Sequence, residues 1–289
     1  MLRLGVQVSI AGGIHYSIER ALNLGCNTMQ IFARNPRKFR KSYYLKKEEI
    51  EIFKKKLEKS GIFPLIIHSP YVLNLATPKR FLRWITVKEF VLDLIEAEKL
   101  GAQYFVTHTG CFKGTTEEKG LKKAVKSLRK ILKRTENLKI KILLENTAGS
   151  GTWLGYTFSH FHYILKELNF SRRIGVCLDT AHAWSAGFRI NTQEGLDNLL
   201  EEIERNVGLK RLKVVHLNDT QDELGSRKDR HFHIGKGKIG EEGFSLIINH
   251  PSLRELPFIL ETPKKSEEDD KNNLAVVRRL YKDEVYSRN

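Results

Sequence analysis

Eight short runs of apolar and β-branched residues recur along the chain, separated by longer stretches with helical periodicity. Most of the runs are almost continuously apolar, which is typical of strands buried on both faces, as in a parallel sheet. They cover residues 3–9, 27–33, 64–69, 103–108, 139–145, 173–179, 211–217 and 257–261. Eight strand–helix units in a chain of 289 residues are typical of a TIM (β/α)8 barrel, and we expect one such domain over residues 1–289. A doubly wound sheet is the alternative, because periodicity does not reveal barrel closure.

Glycines and one capping sequence predict where some of the helices end and begin. Gly61 and Gly101 each follow an amphipathic stretch, where a helix commonly ends in a left-handed residue. The stretch that closes at Gly208 opens with Asn191 and carries Glu194 three residues later, which resembles a capping box. We therefore expect helices that end at these three glycines.

The composition favours a basic globular protein whose partner is a polyanion. The chain is 40% hydrophobic and 29% charged, and its formal net charge is +16. Nucleic acid is the first candidate for the partner, and a solvated lysine-rich surface is the ordinary alternative. No apolar run reaches the roughly 18 residues that span a bilayer, and the first residues do not resemble a signal peptide. We expect a cytoplasmic protein that binds no membrane.

The three cysteines, Cys26, Cys111 and Cys177, are scattered and form no CxxC pair. Neither a disulfide framework nor a cysteine-based zinc site is indicated. We expect three buried free thiols.

Metal-competent side chains stand at the ends of six consecutive predicted strands. The active site of a TIM barrel lies at the carboxyl ends of its strands, so these side chains are expected to meet at one mouth. Taken singly, each is more often an ordinary polar residue or a helix N-cap than a ligand. The six are His68, His108, Glu145, Asp179, His216 and Glu261, and three more candidates, His182, Asp229 and His231, follow the sixth and seventh strands.

The number and type of these side chains favour two or three metal ions rather than one. A catalytic zinc site needs about three protein ligands and an open position, and the nine candidates exceed that number. Clustered carboxylates repel one another and are costly to desolvate unless cations lie between them. Imidazole and carboxylate suit zinc, manganese or iron. Clustered divalent ions, about 3.5–4 Å apart, are the usual device for phosphoester hydrolysis, so a nuclease or nucleic-acid phosphoesterase is expected.

One short segment holds three candidate ligands that its pattern does not distinguish. In KDRHFHIGKG, residues 228–237, the side chains of Asp229, His231 and His233 alternate with Arg230 and Phe232. If the segment is extended, these three side chains point the same way.

Three segments resemble the signature segments of the endonuclease IV family of apurinic/apyrimidinic (AP) endonucleases. They are HSPYVLNLA at 68–76, GVCLDTAH at 175–182 and HLNDTQDELGSRKDRH at 216–231, and LLENTAG at 143–149 and ILET at 259–262 fit the same family. The likeness runs in order from residue 5 to 262. It implies a TIM barrel enzyme that acts in base excision repair. The implied reaction is hydrolysis of the DNA phosphodiester 5′ to an abasic site, which leaves a 3′-hydroxyl and a 5′-deoxyribose phosphate.

The resemblance also implies three zinc ions, with Mn²⁺ or Fe²⁺ in part of the sites, and a bridging hydroxide that attacks the phosphorus. By motif position, His68 and His108 hold one ion, Asp179, His216 and Glu261 a second, and His182, Asp229 and His231 the third, while Glu145 bridges the first two. Among these ligands, the resemblance implies catalytic roles for Glu145, Glu261 and Asp179. The family motif leaves the position of His233 unspecified, which makes His233 either a residue that supports a ligand or a bystander.

The resemblance further implies contacts with double-stranded DNA from loops on the same face of the barrel. The segment RNPRKFRK at 34–41 carries five positive charges in eight residues, which favours a phosphate-tracking loop over a merely solvated one. Arg37 and Lys38 lie in this loop, and Arg230 lies between two of the implied ligands. Tyr71 and Val72 match positions where the family inserts an aromatic and an aliphatic wedge near the lesion. A monomer that acts on DNA containing abasic sites is expected.

Several positions depart from the usual pattern of the family. Gln7 stands where histidine is common, Lys38 where glutamine is usual, Val72 where leucine is usual, Ala181 where cysteine is frequent, and Thr220–Gln221 where a small residue precedes lysine. None of these departures removes an implied metal ligand. They bear on DNA bending and lesion preference rather than on the hydrolytic class.

Two other functions compete with a nuclease. A metal-dependent sugar isomerase or epimerase on the same barrel type also gathers His, Asp and Glu at strand ends, but it needs one or two metals and an acid–base pair. The extra trio of ligands and the net charge of +16 disfavour it. A non-enzymatic basic nucleic-acid-binding protein has no use for a complete ligand set.

Overall fold

The computed structural model describes residues 1–32, 34–40 and 43–282, in which eight parallel strands form a closed barrel in sequence order. The strands are β1 (Leu4–Val8), β2 (Met29–Phe32), β3 (Leu65–His68), β4 (Tyr104–His108), β5 (Lys141–Glu145), β6 (Ile174–Asp179), β7 (Leu212–His216) and β8 (Phe258–Leu260). All eight predicted runs contain a strand, and Ala33, at the end of the second run, lies outside the described residues. Leu4 pairs with Phe258, so β1 joins β8 and closes the barrel. The TIM barrel prediction is confirmed, and the doubly wound alternative is wrong.

The helices of the described residues lie between the strands and form the outer layer. They are α1 (Tyr16–Asn23), α2 (Lys47–Ser60), α3 (Arg80–Lys99), α4 (Glu117–Arg134), α5 (Phe158–Glu167), α6 (Thr180–Ala186), α7 (Gln193–Asn206), α8 (Gly240–Asn249) and α9 (Glu267–Leu280), with a 3-10 turn at Leu209–Arg211. Their apolar faces pack on the outward side chains of the strands and form the larger core of the molecule. This burial is the main stabilising contribution to such a fold.

The glycine predictions are confirmed, and the capping prediction is wrong by one residue. Gly61, Gly101 and Gly208 have φ values of 71°, 86° and 82°, which glycine adopts without a steric penalty. The N-cap of α7 is Thr192, not Asn191, because the Thr192 hydroxyl accepts a hydrogen bond from the Gly195 backbone N–H. Both residue types cap helices well, and the extended backbone of Thr192 decides between them.

A separate layer of apolar side chains fills the interior of the barrel. It consists of Ile66, Val106, Leu143, Cys177, Val214 and Ile259, one from each of the strands β3 to β8. Side chains in a strand alternate between its two faces, so the residue two positions later also points inward. In all six strands that residue is the predicted strand-end ligand. The apolar layer therefore forms the floor of a polar mouth.

The thiols are free, as predicted, but only two of them are buried. Cys26 and Cys177 are buried, whereas Cys111 is half-buried in the connection between β4 and α4. Burial raises the pKa of Cys177 to about 12, so this thiol stays protonated at neutral pH. Within the described ranges, no helix has both the length and the apolar composition needed to cross a membrane.

Candidate metal centre

The predicted strand-end residues surround one cavity at the mouth of the barrel. Its volume is about 440 Å³. It is lined by His68, Tyr71, His108, Glu145, His182, Asp229, His231, Glu261 and Pro263. Asp179 and His216 are completely buried directly beneath this lining. The structure thus brings all nine candidate ligands together at one place.

Glu145 is the centre of the cluster, and each of its carboxylate oxygens faces a different set of imidazoles. Its Oε2 lies 3.1 Å from His68 Nε2 and 3.0 Å from His108 Nε2. Its Oε1 lies 3.1 Å from His216 Nδ1 and 3.5 Å from His182 Nδ1. The carboxylate is 1% exposed, so water does not satisfy it. A carboxylate with two oxygens directed at separate donor sets has the form of a bridging ligand.

Asp179 lies close to two further histidines of the cluster. Its Oδ1 lies 3.5 Å from His182 Nδ1, and its Oδ2 lies 3.5 Å from His231 Nε2. The other nitrogen of His182, Nε2, lies 3.1 Å from Asp229 Oδ1. On the opposite side, His216 Nδ1 lies 3.4 Å from Glu261 Oε2.

Three groups of donor atoms are compact enough to hold one ion each. They are His68, His108 and Glu145; Glu145, Asp179, His216 and Glu261; and Asp179, His182 and His231. Ligand atoms on a tetrahedral ion with bonds of about 2.0–2.1 Å lie roughly 3.3 Å apart. The separations of 3.0 to 3.5 Å within the cluster bracket that value. Asp229 falls outside the third group but lies next to it through His182.

The imidazoles are oriented as metal ligands are. In His68, His182 and His231, the Nδ1–H donates to a backbone carbonyl, of Ser69, Asn146 and Glu261 respectively. A carbonyl only accepts, so the other ring nitrogen of each neutral imidazole carries a lone pair. That nitrogen faces a carboxylate oxygen, and either a proton or a metal ion must lie between the two atoms for the contact to be favourable. His108 Nε2 and His231 Nε2 are in addition buried without a hydrogen-bond partner among the described residues.

The pKa values in the cluster are shifted because the histidines and the buried carboxylates stabilise one another's charges. Burial alone raises the pKa of Glu145, but the charges of His108 and His216 outweigh it and hold that pKa well below its usual range. Burial lowers the pKa of His182, yet the neighbouring carboxylates, Asp179 first, raise it well above its usual value. Burial likewise raises the pKa of Asp229, but a proton on His182 Nε2, hydrogen-bonded to this carboxylate, brings that pKa down to about 2. Protons on the imidazoles and divalent cations are alternative ways to neutralise these carboxylates.

Three amide side chains hold the cluster, and the sequence prediction did not include them. Asn218 Nδ2 donates to Asp179 Oδ2 at 2.7 Å, and its Oδ1 accepts from the Glu261 backbone N–H. Asn146 Nδ2 donates to the Asp179 carbonyl, and its Oδ1 accepts from the Asp179 N–H at 2.7 Å. Gln30 bonds to both His216 and Glu261. A polar residue in the apolar run that forms β2 was the available signal for Gln30.

The connection between β7 and α8, residues 217–239, carries Asp229 and His231 and is fastened at its base by Asp219. The Asp219 carboxylate accepts hydrogen bonds from the backbone N–H groups of Thr220, Gly237 and Ile239 at 2.8 to 3.0 Å. The Asp219 carbonyl accepts from the N–H of Phe232, the residue after His231. A Cβ at Gly237 would lie 2.4 Å from Asp219 Oδ1, so this close approach requires glycine.

His233 does not line the cavity and contacts α9 instead. Its Nδ1 lies 3.1 Å from the amide nitrogen of Asn273 in α9. Asp229 and His231 face the cavity, so the segment does not present all three side chains alike. Two of the departures from the family pattern also lie near the centre, because Gln7 Oε1 accepts from Gln30 and Ala181 is buried beside Asp179.

The residues predicted to contact DNA are placed at the surface, with one exception in the basic loop. Arg37, Lys38 and Arg230 are exposed, Tyr71 is half-exposed beside the cavity, and Val72 follows it. Arg34, counted among the five positive charges of the loop, is only 8% exposed. Its guanidinium donates to both Asp93 oxygens at 2.8 and 3.0 Å. Arg34 therefore holds the loop instead of reaching a phosphate, and Lys41 lies outside the described residues.

Comparisons with known proteins agree with the barrel fold. The model of the Xylose isomerase-like TIM barrel family matches residues 18–281. The chain is 41% identical over 268 residues to the probable endonuclease 4 of Halothermothrix orenii, a match that covers 93% of this chain and 96% of that protein. The chain belongs to the endonuclease IV family. Its structure also resembles that of endonuclease IV from Thermus thermophilus, with a TM-score of 0.85, 35% identity and coverage of 96% of this chain and 98% of that one.

Membership of the endonuclease IV family confirms three predictions, namely the resemblance, the TIM barrel and the class of AP endonuclease. Clustered His, Asp and Glu side chains that can bind metal ions are also present. The barrel is shared more widely, since a D-tagatose 3-epimerase-like protein matches with a TM-score of 0.74 and 22% identity over 96% of this chain and 97% of that one. That likeness shows the fold alone and does not favour the isomerase alternative.

Proposed function

We propose that this chain is a zinc-dependent AP endonuclease of base excision repair, with three ions held at the barrel mouth. In this proposal His68 and His108 hold one ion, Asp179, His216 and Glu261 a second, and His182, Asp229 and His231 the third, with Glu145 between the first two. The observation that carries it is the position of Glu145, whose Oε2 faces His68 and His108 while its Oε1 faces His216 within one cavity.

The donor set supports zinc, with manganese or iron in part of the sites, because it consists of imidazole and carboxylate without thiolate. When bound, such clustered ions supply hydroxide at neutral pH, neutralise the phosphate and stabilise the leaving oxygen. Glu145, Asp179 and Glu261 contribute the negative charge that retains the ions. The carbonyls bonded to His68, His182 and His231 fix which nitrogen of each ring faces the cavity.

The proposed reaction is hydrolysis of the phosphodiester on the 5′ side of an abasic nucleotide. The oxygen of water adds to phosphorus, and the bond from phosphorus to the 3′ oxygen of the preceding nucleotide breaks. A proton ends on that oxygen, which leaves a 3′-hydroxyl and a 5′-deoxyribose phosphate. In this proposal no side chain acts as a general base, since the histidines of the mouth serve as metal ligands.

The proposed substrate is double-stranded DNA that lies across the mouth with the abasic nucleotide turned into the cavity. Extrusion costs least at a site where no base is stacked. Tyr71 supports a wedge role, because its ring packs edge-on against Phe32 while half of the residue remains exposed. Arg37, Lys38 and Arg230 are exposed cations on connections that follow β2 and β7, where phosphates can be tracked.

A nicking assay tests the proposal. A duplex oligonucleotide with one abasic analogue should be cut once, 5′ to the lesion, while a matched intact duplex should remain whole. Elemental analysis of the purified protein should find close to three transition-metal ions per chain. A content of one ion or none would refute the trinuclear centre, and turnover of a ketose sugar without nicking would replace the nuclease by an epimerase. We further propose that residues 1–289 act as one domain, as a monomer in the cytoplasm.

A further inference from the structure

A second cavity lies on the outside of the barrel, between α3 and α4, and its lining is strongly basic. Its volume is about 480 Å³. Five of its lining residues are cations and none is a carboxylate; we call it the α3–α4 groove, formed by Arg80, Arg83, Lys126, Lys130 and Arg134 around Trp84. Five like charges around one groove repel one another, so they lower the stability of the free protein and favour an anionic occupant.

The charge of the groove is not simply that of the whole surface. From residue 119 to 134, α4 carries eight lysines and arginines without one acid, and residues 80–88 of α3 carry three without one acid. Lysines on other helices lie next to carboxylates, as in the pairs Lys47–Glu51 and Lys271–Glu268. Within the described part of the chain, the side chains of Lys126 and Lys130 form no such pair.

An aromatic pair stands at the edge of the same groove. Phe81 is 63% exposed and Trp84 is 53% exposed, and their rings stack at 6.1 Å with an angle of 21°. Lys88 lies 5.9 Å above the Trp84 ring. Large aromatic side chains exposed together are unusual on a monomer surface and mark binding sites. Single-stranded nucleic acid is bound by this combination, in which cations follow the backbone and bases stack on aromatic rings.

The groove adjoins the connection between β3 and α3, residues 69–79, which carries Tyr71. Arg83 donates to the Thr77 carbonyl at 2.9 Å, and the Ser127 hydroxyl donates to the Leu75 carbonyl at 2.8 Å. Both walls of the groove are therefore hydrogen-bonded to a segment that begins at the barrel mouth. None of the residues of the groove contacts the metal centre, so the two sites can be tested separately.

We propose that the α3–α4 groove is a second nucleic-acid-binding site, which takes a single strand with its phosphates on the cations and an unpaired base against Trp84. Duplex DNA fits less well, because its bases are stacked on one another and offer no free face to the ring. An acidic peptide is disfavoured because its carboxylates would pair with the cations and leave the exposed faces of the Trp84 and Phe81 rings without a stacking partner.

Binding of a fluorescein-labelled oligothymidylate, measured by anisotropy at several salt concentrations, tests this site in the intact metal-loaded protein. Lys126→Glu with Lys130→Glu should weaken binding. It should also lower the slope of log affinity against log salt concentration by about 1.4, because two phosphate contacts are lost and each contributes about 0.7. Lys55→Glu with Lys59→Glu is the matched control, since these are also two exposed lysines four residues apart on one helix. It changes the net charge equally and should leave the salt slope unchanged.

Trp84→Ala should weaken oligothymidylate binding about tenfold or more through loss of base stacking. The nicking rate on an abasic duplex should be unchanged in all these variants, so failure of the groove and failure of the metal centre are distinguishable. Equal losses in the two lysine pairs, or no effect of Trp84→Ala, would overturn the proposal. Polyglutamate that binds as tightly as oligothymidylate and is lost in the same variants would assign the groove to acidic protein partners instead. If the double glutamate variant does not fold, Lys126→Gln with Lys130→Gln provides the same comparison.

Discussion

Gln30 offers the sharpest test of how the barrel would hold the proposed metal centre. Its side chain is completely buried in β2 and forms three hydrogen bonds. Its Oε1 accepts from His216 Nε2 at 2.9 Å, and its Nε2 donates to Glu261 Oε1 at 2.6 Å and to Gln7 Oε1 at 2.8 Å. It thereby fixes the ring of one proposed ligand and the carboxylate of another at once.

Gln30→Leu keeps the volume of the side chain and removes all of these bonds. The N–H of His216 is then buried without an acceptor, which costs about 1–3 kcal/mol. Loss of such a supporting bond typically lowers metal affinity about 10–100-fold, which corresponds to about 1.4–2.7 kcal/mol. We therefore expect the affinity for the ion that we propose Asp179, His216 and Glu261 hold to fall by that factor, while the other proposed ions are retained.

The affinity is measured by competition with a chromogenic zinc chelator, and Gln103→Leu is the control. Gln103 also uses both ends of its amide, accepting from the Leu65 N–H and donating to the Gly101 carbonyl. It lies just before β4, at the opposite end of the barrel from the mouth. Gln103→Leu should lower the melting temperature without changing the zinc affinity. An unchanged affinity in Gln30→Leu, or an equal loss in both variants, would refute the reasoning.

Three other substitutions test the ligand set, the DNA contacts and the pH dependence of stability. His231→Ala should lose about one metal ion per chain and most of the nicking activity, whereas His233→Ala should keep all of its metal in elemental analysis, because it faces away from the cavity. Arg37→Ala should weaken binding of labelled duplex DNA. It should also lower the slope of log affinity against log salt concentration by about 1, since the variant has one cation fewer to displace counterions from the phosphates. His160 accepts from the Gly155 N–H through Nδ1 at 3.0 Å, and burial lowers the pKa of this imidazole below 6.5. The unfolded chain then binds the proton more readily, so the free energy of unfolding should fall as the pH drops below about 6.5, and should fall less in His160→Gln, as urea titrations can measure.

For each of these predictions, one result would contradict the reasoning. Loss of metal in His233→Ala would place that residue in the centre. An unchanged salt slope in Arg37→Ala would make the basic loop a solvated surface. Identical pH profiles for the original protein and His160→Gln would mean that this imidazole does not contribute to acid sensitivity.

The barrel and the six strand-end side chains were predictable because both depend on local periodicity. A run of apolar residues that ends in His68 or Glu145 indicates a strand and its exit at the mouth, and alternation places the side chain inward. Asp229 and His231 lie in an irregular connection, where no periodicity acts. Their place after the seventh strand made them candidates, and the resemblance to a family, rather than any periodicity, assigned them to the mouth.

The errors arose where a distant partner decides the role of a residue. Arg34 counted as one of five charges in a basic loop, but Asp93 of α3 binds it in the interior. An aspartate within the apolar sequence FVLDLI was a signal that a buried cation must lie nearby. Asn146 and Asn218 gave no signal of this kind, because the bonds of an amide depend on the three-dimensional arrangement alone.

Asp219 holds the connection between β7 and α8 only at its base. The mouth of the barrel therefore consists of two parts that differ in the free energy of local unfolding. The barrel strands open only with global unfolding, whereas residues 221–231 lie mostly at the surface and depend on a few bonds at their base. In native-state hydrogen exchange, amides of this connection should exchange long before those of β6. The third group of donors is built from both parts. It is therefore expected to release its ion first on warming, while the barrel and the donors on its strand ends remain intact.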